Sequence, residues 1–65
     1  DIANKKNVAF FSNRLIHILN NNNFFTSSEE QEKLTNNLKN IFFKNNLTNK
    51  ELRILHGVIT NIKKN

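Results

Sequence analysis

Cysteine, proline, methionine, tryptophan and tyrosine do not occur in these 65 residues, and glycine occurs once. Each absence excludes something. Without cysteine no disulfide can staple so small a fold, and His17 and His56 alone cannot assemble a structural zinc site. One glycine cannot build a glycine-rich phosphate loop. No stretch approaches the ~20 apolar residues of a membrane span. The missing methionine implies that Asp1 is not a natural start, so the chain is expected to be a single small domain, residues 1–65, cut from a larger protein. Absent cysteine fits a reducing compartment, and an intracellular setting, cytoplasm or nucleus, is expected.

Asparagine is abundant instead, with 15 residues, beside eight lysines, seven isoleucines and six phenylalanines. All four are encoded by codons rich in A and T, so drift in a low-GC genome accounts for much of this composition. The formal charge is +5, with acids concentrated at Glu29, Glu30 and Glu32. Such a balance suits nucleic acid or an acidic partner. A core of this size supplies roughly 3–5 kcal/mol, so packing or a partner must support it.

No proline and one glycine interrupt the chain, and alternating apolar-polar runs are missing, which predicts helices. Three are expected, at about 4–20, 28–45 and 49–63. Val8, Phe11, Leu15, Ile18 and Leu19 form the stripe of the first. Lys5 and Lys6 disfavour a helix start beside them, so a beginning nearer Asp1 is the alternative. Asn20–Asn23 reads as a loop from which Phe24 and Phe25 fold back to cover the core. Ser27 with Glu30 reads as a capping box for the second helix, whose stripe is Leu34, Leu38, Ile41 and Phe42. That helix should stop at Asn45–Asn46, since asparagine tolerates a left-handed cap. Thr48 and Glu51 form a second capping box, stapled by Leu47 on Leu52. Leu52, Leu55, Ile59 and Ile62 continue at 3-4-3 spacing along the third helix. The fold class is therefore all-α: a compact three-helix bundle, or three helices of a four-helix bundle.

The six aromatic residues fall into three Phe-Phe pairs, and helical neighbours point about 100° apart. One member of a pair is thus left off a core stripe. Phe10 and Phe43 are the spare members, and Ile54 and Val58 widen the apolar arc of the third helix. On a small domain such residues point to a protein partner or to self-association. The alternative is nucleic-acid binding through the polar face of the last helix, with Lys50, Arg53, His56, Gly57, Thr60 and Lys64 as the reading residues. Gly57, costly in mid-helix, would there allow close approach to the backbone. A membrane-surface role ranks low, because the polar faces carry asparagine rather than lysine.

Catalysis finds no support. The two histidines stand on polar faces without a motif, and the glutamates are spaced for a helix start. No catalytic residue, metal, cofactor or small-molecule substrate is expected.

Overall fold

The computed structural model describes residues 1–64, with the side chains of Lys63 and Lys64 outside the described set. Three helices follow one another: α1 (Lys5–Asn21), α2 (Ser28–Lys44) and α3 (Asn49–Lys64). The chain is a three-helix bundle. α1 packs against both other helices, whereas α2 and α3 do not touch through their backbones among the described residues. The result is a compact bundle of 37 × 27 × 15 Å.

The asparagines do much of the local work. Asn4 caps α1 by accepting from the amide of Asn7 at 2.8 Å. A good N-cap contributes about 1 kcal/mol, while charge on the helix dipole contributes roughly 0.3–1 kcal/mol. The cap offsets much of the cost of two lysines in the first turn, and residues 1–3 are committed to pairing elsewhere, so the helix starts at Lys5 and the alternative start nearer Asp1 is not taken. At the other end Asn23 adopts the left-handed conformation (φ 57°). Phe24 N–H donates to the carbonyl of Leu19 at 3.1 Å, and Asn23 N–H to that of Asn20 at 3.2 Å. These two bonds make a Schellman stop with asparagine in the place usually held by glycine. Asn46, φ 50°, follows the end of α2 in the same conformation.

The Thr48 box forms as expected. Glu51 N–H donates to Thr48 Oγ1 at 3.0 Å, and Thr48 N–H to Glu51 Oε1 at 2.9 Å. The Ser27 box closes only halfway. Ser27 Oγ accepts from Glu30 N–H, but the Glu30 carboxylate is taken by the amide and hydroxyl of Thr26. Thr26 offers two donors where the Ser27 backbone offers one.

Residues 1–3 are extended and pair with the α2–α3 connection. Ala3 N–H donates to Leu47 O at 2.8 Å, and Asn49 N–H to Asp1 O at 3.1 Å. This isolated bridge, with Ile2 opposite Thr48, ties the entrance of α1 to the entrance of α3. It also buries Ala3 against the core.

The core is built around Phe11. Its ring meets Phe42 of α2 edge-on at 5.2 Å and the His56 imidazole of α3 edge-on at 5.0 Å. Val8, Ile18, Leu52 and Ile59 surround it, with Leu15, Leu47 and Leu55 half-buried alongside. Ser12 is fully buried, and its hydroxyl donates to the Val8 carbonyl one turn back at 3.0 Å, which leaves no orphaned polar atom.

Three expectations about packing need correction. Ile41 and Ile62 belong to the expected stripes but are exposed. α2 and α3 stay apart, so the edges of both stripes remain uncovered, and no residue of α2 is fully buried. Ile16, off the expected stripe of α1, is buried instead, because α1 serves two neighbours and its covered arc is wide. Phe24 and Phe25 pack edge-on against each other at 5.3 Å, and Phe24 stays exposed rather than closing over the core.

Candidate interaction surface

Helix α3 carries two apolar arcs. Leu52 and Ile59 face α1 and are buried. Ile54, Val58 and Ile62 recur at i, i+4 and i+8 about a third of a turn away, so they line a second stripe along the same helix. They are 56%, 49% and 66% exposed. Half-buried Leu55 lies between this stripe and the core.

The two spare phenylalanines are also exposed, Phe10 at 66% and Phe43 at 38%, but the fold does not bring them together. Phe43 lines a groove of about 600 Å³ with Phe42, Ile2, Val8 and Leu47, where the bridge meets the end of α2. Phe10 lines a second groove of about 510 Å³, with Arg53, His56 and Asn49. Its ring stands 6.0 Å from that of His56. The four off-core apolar residues thus occupy three places on the surface, and only Ile54 and Val58 share one.

The proposed basic face is partly used within the fold. Lys50, Arg53, Gly57 and Thr60 are exposed. His56 is not a free polar residue: it is half-buried between Phe10 and Phe11. Arg14 Nη1 donates to His56 Nδ1 at 2.6 Å, and Arg14 Nη2 donates to Thr60 Oγ1 at 2.8 Å. The imidazole therefore holds its own proton on Nε2. Burial of the ring, and then the nearby Arg14 guanidinium, push its pKa below the usual histidine value. His17, by contrast, is exposed, and its Nε2 lies 3.2 Å from Asn21 Nδ2. The Lys64 side chain lies outside the described residues. A Cβ placed on Gly57 meets nothing within 4 Å, so no other part of this chain approaches that backbone.

Arg14 was missed by reasoning from sequence. Its signal was its place: three and four residues after Phe11 and Phe10, at the inner edge of the α1 stripe. Ile62 was assigned to the core on spacing that is sound, but spacing cannot say which neighbour is present.

Among the described residues no three acidic, histidine or cysteine side chains gather as a metal site, and no helix is long and apolar enough to cross a membrane. Set against family models, curated proteins and solved structures, the chain matches none.

Proposed function

We propose that this chain is a non-catalytic helical module that binds a protein partner, or a second copy of itself, through apolar residues outside its core. One observation carries the reading: Ile54, Val58 and Ile62 stand exposed in line along α3. Eight large apolar side chains stand exposed, among them Phe10, Phe43, Ile54 and Val58. Of these, Ile54, Val58 and Ile62 share one face, and an apolar stripe of this kind on a small domain supports the reading.

The nucleic-acid alternative gains less from the fold. His56 and Thr60, two of its six residues, already bond Arg14.

Solution mass over a concentration series, paired with a pull-down by the wild-type domain and by a Phe10→Ala/Phe43→Ala variant, tests the reading. Association that the variant loses, at unchanged melting temperature, supports it. A domain that stays monomeric at millimolar concentration, and retains nothing that the variant does not, sinks it. Steeply salt-dependent binding of duplex or single-stranded nucleic acid would favour the alternative instead.

A further inference from the structure

The two halves of α3 are fastened by different means. The first is tied by the bridge, where Asn49 N–H donates to Asp1 O at 3.1 Å, and by buried Leu52. The second is held by buried Ile59 and by the Arg14 guanidinium. Among the described residues no backbone contact joins α2 to α3, so α1 alone supports it. Arg14 makes the bonds that cross between helices, to His56 Nδ1 at 2.6 Å and to Thr60 Oγ1 at 2.8 Å. Every other side-chain hydrogen bond among the described residues reaches no more than four positions along the chain.

Chemistry fixes the direction of the longer-range bond. A guanidinium only donates, so the imidazole accepts through a bare Nδ1. A proton on that nitrogen ends the bond and sets two cations at hydrogen-bond range. The surroundings add little to oppose this. On the α1 side Phe10 and Phe11 offer apolar rings. α2 reaches the cluster through Phe42, which meets Phe11. Arg53 of α3 and Asp1 of the N-terminal segment line the groove beside His56, one cation and one carboxylate.

We propose that Arg14 and His56 form a proton-operated catch: protonation of His56 releases from α1 the half of α3 that follows Gly57, while the first half stays seated. Gly57 is the weak point for such an opening, since glycine weakens a helix interior by about 1 kcal/mol and nothing packs over its Cα. Release bares Ile59 and the Phe11 ring, apolar surface that the closed fold hides. The freed stretch is too short to hold its helix alone. Burial and Arg14 lower the pKa of the closed form, so acid favours the open one.

The test is an NMR titration of the intact chain from about pH 7.5 to about pH 5, with amide exchange followed at each step. The His56 ring should titrate below the ordinary histidine value near 6.5. Between that value and its midpoint, protection factors at Ile59 and Thr60 should fall by up to about tenfold per pH unit. They should lie below the protection at Leu15 of α1 throughout, and respond more weakly to urea, because the opening is partial. His56→Gln, which keeps an acceptor for Arg14 and does not titrate, should abolish the pH dependence. Arg14→Gln should lower protection at Ile59 and Thr60 even near pH 7 and raise the His56 midpoint. A midpoint at or above 6.5, or protection that is unchanged as the ring takes its proton, overturns the proposal. So does protection at Ile59 and Thr60 equal to that of Leu15 with the same urea dependence, which is unfolding of the whole domain. The wild-type measurements decide these outcomes even if a variant fails to fold.

Discussion

Arg14 on α1 donates from Nη1 to Nδ1 of His56 on α3, at 2.6 Å, while its other terminal nitrogen donates to Thr60 at 2.8 Å. One guanidinium thus spans the two helices, with the Phe11 ring packed edge-on to the imidazole at 5.0 Å. The bond exists only while Nδ1 has a free lone pair. Protonation removes the acceptor and sets a second positive charge beside Arg14.

The pH dependence follows from the lowered pKa of His56, caused first by burial and then by Arg14. Between the folded value and the unfolded value near 6.5, the unfolded chain binds more protons than the folded one. Stability from this group is therefore complete above about pH 6.5 and is lost as pH falls toward the folded pKa. The melting temperature of the wild type should drop between pH 7 and pH 5.5 by more than that of His56→Gln. Equal slopes would show that the imidazole is not held neutral by the fold.

The bridge between the N-terminal segment and the α2–α3 connection makes a second prediction. Removing residues 1–3 deletes the bonds of Ala3 to Leu47 and of Asn49 to Asp1, and uncovers the core beneath Ala3. At about 0.5–1.5 kcal/mol per bond, the loss should be about 1–3 kcal/mol before the apolar term is added. Against a total of roughly 3–5 kcal/mol, the truncated domain should melt markedly lower. In amide exchange, Asn49 should lose its protection while the mid-helix amides of α1 keep theirs at low temperature. An unchanged melt and a protected Asn49 would mean that the bridge does not form in solution.

What could be read without the structure was what is local. Thr48 and Glu51 close their box because the three residues between cap and partner determine the geometry, and the asparagines end both loops for the same reason. The Ser27 box was half right, since Thr26, one residue upstream, competes for the same carboxylate. What escaped depends on distant neighbours. The Ala3–Leu47 pairing joins residues 44 positions apart in the chain. Ile41 and Ile62 have core-like spacing, yet they remain exposed because α2 and α3 do not meet. The spare phenylalanines were legible as exposed residues, but their separation into two grooves was not.

Gly57 gives a prediction about stability alone. It lies inside α3 with no positive φ and with open space where a Cβ would stand, so nothing in the fold requires glycine there. Glycine in a helix interior costs about 0.8–1.0 kcal/mol relative to alanine. Gly57→Ala should therefore stabilise the domain by about 1 kcal/mol and raise its melting temperature by about 4–8 °C. A lower melting temperature would show that this turn of α3 is not an ordinary helical one.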